Sequence, residues 1–187
     1  MSMGRVWFIP WEQSKAGNFL AEASQGLSNS HHKRSVSVVC KDTPGKKLAE
    51  LGFGTNARIH VAGHGSIGGQ TLGADHGTGA SDVTIPELVA LLEAHGLKKY
   101  YVGTIVCDVC YSALGSPCFA KTFARALYDA GYKATCTMGY KGPLGAAYGD
   151  ELGGKFSHRV VDQEDESGNV IATLKSKKMQ ERFWGFN

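Results

Sequence analysis

Apolar residues recur along this chain in two rhythms. Short runs rich in valine, isoleucine and aromatic side chains occupy residues 5–11 (RVWFIPW), 35–40 (SVSVVC), 58–62 (RIHVA), 100–107 (YYVGTIVC) and 133–138 (KATCTM). Runs of this length and composition read as strands. The run at 100–107 is nearly unbroken, as expected of a strand buried on both faces. Between the runs, apolar positions return every three or four residues, the spacing of one face of a helix. Phe19, Leu20, Ala23 and Leu27 mark a helix within residues 14–27, and Leu88, Val89, Leu91 and Leu92 mark one from Pro86 to Gly96. Phe119, Phe123, Ala126 and Leu127 mark a third, opened by Pro117. Pro44 opens a shorter helical piece over residues 46–51, with Gly52 as its stop. Proline suits these starts because the first turn of a helix leaves its N–H groups unbonded anyway.

Strand and helix in alternation predict an α/β fold with a mostly parallel central sheet and helices on both faces. Functional groups then gather outside the carboxyl ends of the strands. The C-terminal third departs from this rhythm. A glycine-rich loop covers 142–154, and residues 156–161 and 169–174 flank the acidic, turn-forming stretch 163–168. That pattern predicts a β-hairpin. The tail, 175–187, mixes Lys175, Lys177, Lys178 and Arg182 with Phe183, Trp184 and Phe186.

At 187 residues, 42% of them hydrophobic, the chain suits a single domain over 1–187 with its own core. A net charge of +3 is too mild to imply a nucleic-acid partner. No apolar run approaches the ~20 residues needed to span a bilayer, so no membrane partner is expected. The first eleven residues lack the apolar core and small-residue cleavage site of a signal peptide. The five cysteines, Cys40, Cys107, Cys110, Cys118 and Cys136, are an odd number in a chain that needs no staples. They are expected to be free thiols in a reducing cytoplasm, one of them reactive.

Two motifs carry chemistry. Gly63-His64-Gly65-Ser66 follows the run RIHVA, and Cys107-Asp108-Val109-Cys110-Tyr111-Ser112 ends the run at 100–107. If the two strands are neighbours, ~4.8 Å apart, a histidine and a cysteine face each other at one sheet edge. A thiol beside a histidine gives up its proton, and the thiolate attacks. The N–H groups of Gly65 and Cys110 are placed to hold the oxyanion of an acyl transfer.

Gly-His-Gly-Ser followed by Asp-x-Cys-x-Ser resembles the catalytic motifs of metacaspases and, more broadly, of caspase-like cysteine peptidases. The interval from His64 to Cys110 is 46 residues and holds one predicted helix, as in that superfamily. The stretch from the His-Gly through residues 70–73 to 119–127 is also similar to the self-processing cysteine peptidase domain of large bacterial toxins. The resemblance covers roughly residues 58–138. It implies a caspase-like three-layer sandwich, a cysteine endopeptidase acting on protein or peptide substrates, and no cofactor or metal. His64 is then the general base and acid, Cys110 the nucleophile, and Asp108 the residue that binds a basic P1 side chain. Ala113 stands where metacaspases usually carry glycine. The toxin-type pattern places the nucleophile directly after the strand, making Cys107 the alternative nucleophile, with a non-basic P1. That type also implies an anionic activator, inositol hexakisphosphate, docking on Lys155, Arg159, Lys175, Lys177, Lys178 and Arg182. It further implies delivery into a host cell without a cleaved signal peptide.

Other readings compete at each position. Cys107 and Cys110 form a C-x-x-C pair, but no second ligand pair completes a zinc site. Ser66 lacks the first glycine of a serine nucleophile elbow, because His64 stands there. His60 reads as a sheet-facing histidine, His76 as a loop residue, and His95 as a cation near a helix C-terminus. Asp75 and Asp82 read as loop and cap residues, and Asp108 reads equally as the cap of the next turn. The rival from another class is a binding module that keeps the sheet and does no chemistry.

Overall fold

The computed structural model describes residues 4–28, 36–51, 57–147 and 158–186. Its centre is a six-stranded sheet built from β1 (Arg5–Ile9), β2 (Val36–Cys40), β3 (Arg58–Ala62), β6 (Thr104–Asp108), β7 (Cys136–Tyr140) and β11 (Gln180–Trp184), in the order β11-β7-β6-β3-β1-β2. All neighbours pair in parallel except β11, which runs antiparallel along β7. The chain is therefore α/β with a mostly parallel sheet.

Register partners in a parallel sheet point to the same face, which sorts the core. Trp7, His60, Val106 and Met138 share one face, and Val6, Ile59, Ile105 and Thr137 the other. The helix α3 (Phe119–Asp129) covers the second face, where the Thr137 hydroxyl donates to the Ala120 carbonyl at 2.7 Å. A second, antiparallel sheet lies on the first face. It consists of β8 (Leu144–Ala147), β9 (His158–Glu164) and β10 (Val170–Lys175), in the order β10-β9-β8. Its Leu144 and Val161 close a small apolar cluster with Val106, Met138 and Tyr140.

The remaining elements frame the carboxyl edge. The helix α1 (Asn18–Ser28) touches β1 and β2, and α2 (Ile85–Ala94) touches α3. Thr84 caps α2 reciprocally with Glu87, and a proline stands in its first turn, so this helix starts where Pro86 predicts. The short strands β4 (Thr71–Leu72) and β5 (Val83–Thr84) pair between β3 and α2. From β1 the chain passes to β2 at one edge, whereas β3, β6 and β7 proceed towards the other. The carboxyl ends of β1 and β3 thus flank a topological switch point, the usual place for a ligand crevice.

Several boundaries differ from the sequence reading for local reasons. The helix expected over 14–27 begins at Asn18, because Gly17 takes a φ of 52° and separates it from a 3-10 turn, Gln13–Lys15. The run 100–107 becomes strand only at Thr104. Tyr101 turns inward instead, and its buried hydroxyl donates to the Ala57 carbonyl at 3.0 Å. The glycine-rich loop gains a strand in β8, and its residues 148–157 lie outside the described chain. After a 3-10 turn, Ser176–Met179, the mixed basic and aromatic tail returns as β11 and extends the main sheet.

Candidate active site

The histidine motif is shaped by a backbone clasp. His64 and Gly73 exchange two hydrogen bonds, N–H to carbonyl in each direction at 2.9 Å, which closes the intervening loop. Just beyond Gly73 the chain presents Asp75. Its Oδ1 lies 3.4 Å from His64 Nε2, and its Oδ2 accepts the Asn18 N–H at 2.6 Å at the start of α1. The Asn18 hydrogen bond, then the hydrogen bond and charge of His64, hold the Asp75 carboxyl below the ordinary range. The carboxylate is thus fixed by backbone on one side and aims at imidazole on the other. Phe19 and His76 flank the ring, with centroids 5.0 Å and 5.7 Å away. The His64 side chain is half exposed, and Nδ1 is the ring nitrogen without a partner among the described residues.

The cysteine motif is shaped by a tight turn. Directly after Cys110, Tyr111 takes a left-handed φ of 56°, uncommon for a bulky residue. Ser112 pins this turn from inside the core. Its hydroxyl donates to the Cys107 carbonyl at 3.3 Å and accepts the Tyr140 N–H at 3.0 Å, and its carbonyl accepts the Ala120 N–H at 2.8 Å. The serine of the motif therefore joins β6, β7 and α3. Tyr111 is tied outward as well, its hydroxyl donating to Glu164 Oε2 at 2.8 Å on β9. Burial and that acidic neighbour push the Tyr111 phenol up to about 12.

Cys110 itself is half-buried, and its sulfur accepts the Leu144 N–H of β8 at 3.2 Å. The two motifs meet backbone to backbone. A Cβ added at Gly65 would stand 2.6 Å from the Cys110 carbonyl oxygen, so only glycine fits there. Among the described residues, neither the Gly65 nor the Cys110 N–H has a hydrogen-bond acceptor. The His64 ring and the Cys110 thiol do not bond directly: the ring is turned to Asp75 and the sulfur to Leu144.

The remaining residues singled out in the sequence sort clearly. Cys107 is fully buried, and that burial, with Asp108 and Cys118 nearby, raises its thiol well above the ordinary range. Asp108 does not cap the following turn. Its buried carboxylate lies 2.7 Å from His60 Nδ1 and accepts the Tyr140 hydroxyl at 3.4 Å, while Trp7 stacks on the His60 ring at 5.1 Å. His95 does stand at a helix end, as the C-cap residue of α2, but it is buried there, with Nε2 3.1 Å from the Lys41 carbonyl. Asp82 accepts the Ala74 N–H at 3.3 Å. All five cysteines are free thiols. Among the described residues, no group of three or more His, Cys, Asp or Glu side chains is arranged to hold a metal ion. None of their helices is long and apolar enough to cross a membrane. Of the basic residues, Lys155 and the Arg159 side chain lie outside the described part, and Lys175, Lys177 and Lys178 cluster around the turn between β10 and β11.

The sequence reading missed Asp75, because an aspartate in a Gly-rich loop carries no spacing signal. It also missed the His60–Asp108 pair, although both residues lie on adjacent strands with the right parity to share a face. No protein-family model matches the chain, and no curated protein matches it significantly.

Proposed function

We propose that the chain is a cysteine endopeptidase with a caspase-like three-layer sandwich, in which Cys110 is the nucleophile and His64 the general base and acid. The observation that carries this reading is the juxtaposition of a half-buried thiol and a carboxylate-backed imidazole at the carboxyl ends of two paired parallel strands. The Cys110 sulfur, having passed its proton to His64, attacks the substrate carbonyl carbon. The carbonyl oxygen becomes an oxyanion facing the uncommitted Gly65 and Cys110 N–H groups. Collapse breaks the C–N bond as His64 returns the proton to the departing amine, leaving a thioester on Cys110. Water, deprotonated by His64, then hydrolyses the thioester and restores the thiol. Asp75 orients the ring and stabilises the imidazolium formed in each half-reaction. For the transfer the sulfur leaves the Leu144 N–H and the ring turns towards it, the tightening that substrate brings to an unliganded site.

Burial supports Cys110 over Cys107. The attacking species is the thiolate, and Cys107 is both inaccessible and held in its thiol form. Burial likewise bears on specificity. Asp108 is already paired with His60 and Tyr140, so it offers no open carboxylate to an arginine or lysine at P1. This favours the toxin-type alternative with a non-basic P1 over the metacaspase-like preference. An inositol hexakisphosphate activator of that type would meet Lys175, Lys177 and Lys178 together.

Labelling with peptidyl acyloxymethyl ketones that vary P1, followed by mass mapping, tests the assignment. Modification of Cys110 by a non-basic member, lost in His64→Ala, is the expected result. Indifference of Cys110 to every member, with the fold intact, overturns the peptidase and leaves a binding module.

A further inference from the structure

The loop from His64 to Gly73 is closed at its base by their backbone clasp. Its outer part rests on the segment that follows Cys110. The Gly68 N–H donates to the Leu114 carbonyl at 3.0 Å. Gly115 presses on the same point: at its φ of 100°, an added Cβ would stand 2.5 Å from the Gly68 nitrogen. A side chain joins this seam as well. Gln70 Nε2 donates to the Pro117 carbonyl at 3.3 Å, and to the Gly68 and Gly69 carbonyls of its own loop at 3.1 Å and 3.0 Å.

Carbonyl oxygens converging from two segments repel one another unless a donor stands between them, and a carboxamide nitrogen supplies N–H groups for that place. The other end of the same carboxamide points to the donor as what the seam requires. Gln70 Oε1 is buried and has no partner among the described residues. A glutamine free to turn would give that oxygen to water, since a buried acceptor left unpaired is costly. Across the seam, Pro117 leads into Cys118, the N-cap of α3, and Ala120 of that helix donates to the Ser112 carbonyl at 2.8 Å. Gln70 is thereby tied to the framework that pins the Cys110 turn.

We propose that Gln70 is a positioning residue for acyl transfer: its amide locks the His64 loop onto the Cys110 segment and so sets the Gly65 N–H beside the Cys110 N–H, where the oxyanion forms. This rests on the peptidase reading above and gives its oxyanion site a structural cause. The Gly65 N–H belongs to the peptide that follows His64, so its aim is the aim of the loop. Donors act on an oxyanion only from hydrogen-bond distance, and a displacement of ~1 Å is enough to cost roughly a hundred-fold in rate. Gln70 works through Gly65 and touches no reacting atom itself.

Two probes of the full chain separate the oxyanion site from the thiol. Iodoacetamide alkylates the Cys110 thiolate at a saturated carbon and makes no oxyanion. The peptidyl aldehyde matching whichever acyloxymethyl ketone labels the wild type takes the Cys110 sulfur at its carbonyl carbon, which places its oxygen in the oxyanion site. Gln70→Met keeps the length of the side chain and removes its N–H groups; Gln70→Lys has similar reach and restores N–H donors. In Gln70→Met, aldehyde affinity and kcat should fall together, roughly ten- to a hundred-fold, while alkylation by iodoacetamide stays within about two-fold of wild type. Amide exchange at Gly68, whose N–H crosses the seam, should become faster. Gln70→Lys should recover part of the aldehyde affinity. Aldehyde affinity unchanged in Gln70→Met, an equal loss of iodoacetamide reactivity, or a Gln70→Lys no better than Gln70→Met each overturns the proposal. A wild type that takes neither ketone nor aldehyde sinks the peptidase reading and this role together, whereas a wild type and a Gln70→Met that take the aldehyde equally sink this role alone.

Discussion

Ala62 and Asp108 are register partners across β3 and β6, and two residues beyond them stand His64 and Cys110. The candidate dyad is thus a consequence of strand pairing. Parallel strands bring equivalent positions side by side, and a continued register carries that correspondence past the last ladder bond. Gly65 keeps the two chain segments in contact where any side chain would force them apart.

The first prediction separates the two cysteines of the motif. Cys110→Ala should abolish peptidase activity and active-site labelling with little change in melting temperature, because the side chain is only half-buried. Cys107→Ala should retain labelling at Cys110 and lose about 1 kcal/mol of stability, since it removes a fully packed sulfur. Labelling kinetics and denaturant midpoints measured on both variants check this. Activity surviving in Cys110→Ala would reverse the assignment.

The second prediction concerns the buried pair under the site. Asp108→Ala takes the carboxylate from both His60 and the Tyr140 hydroxyl and should cost ~3 kcal/mol, as breaking a buried pair from one side does. Tyr140→Phe removes the longer of the two bonds to Asp108, together with the one the hydroxyl accepts from Gln180 at 3.4 Å, and should cost less, ~1–2 kcal/mol. Urea unfolding of the two variants gives the ratio. In the wild type, a P1 panel should show no preference for arginine over leucine; a strong arginine preference would mean that His60 yields Asp108 to substrate.

Much of this arrangement was legible in the sequence, and the part that was not has physical causes. Valine-rich runs and 3.6-residue periodicity located the parallel strands and the helices because those elements are buried on characteristic faces. The motif pair singled out His64 and Cys110 because both motifs end apolar runs, and the structure sets both residues just past the paired strands β3 and β6. Asp75 was silent because its position depends on the His64–Gly73 clasp and the Asn18 N–H, both tertiary facts. The strand β11 was silent for a similar reason. Gln180, Glu181 and Arg182 carry no strand signal, and pairing with β7 overrides their weak propensity.

Ser112 supplies a third prediction. Its hydroxyl serves both the Cys107 carbonyl and the Tyr140 N–H in the core. Ser112→Ala should cost ~1–3 kcal/mol, the penalty for leaving a buried polar group unsatisfied. It should also slow Cys110 labelling more than it changes substrate affinity, because the turn that carries the nucleophile loses its anchor. Ser112→Thr keeps the hydroxyl but adds a methyl where exposure is 1%, so it should rescue labelling in part without restoring full stability. Labelling at the wild-type rate in Ser112→Ala would reduce the residue to a packing role.

The last prediction assigns Asp75 its role through pH. Its carboxyl is held below the ordinary value of 3.8, with the Asn18 N–H the largest cause and His64 the next. A group depressed on folding contributes stability that is fully present above its unfolded pKa and lost as pH falls through its folded one. Asp75→Asn should therefore lower the melting temperature at neutral pH, and the gap to wild type should close as pH is taken below about 4. The same substitution keeps the Asn18 contact in shape but removes the charge that stabilises the His64 imidazolium. It should reduce kcat by at least ten-fold with a smaller change in KM, the pattern of a group that orients the base and does not bind substrate. Asp75→Glu should restore part of kcat if charge is what matters. A stability gap that is constant from neutral pH down to about 3, together with unchanged kcat, would make Asp75 an ordinary loop residue and return the site to a bare dyad.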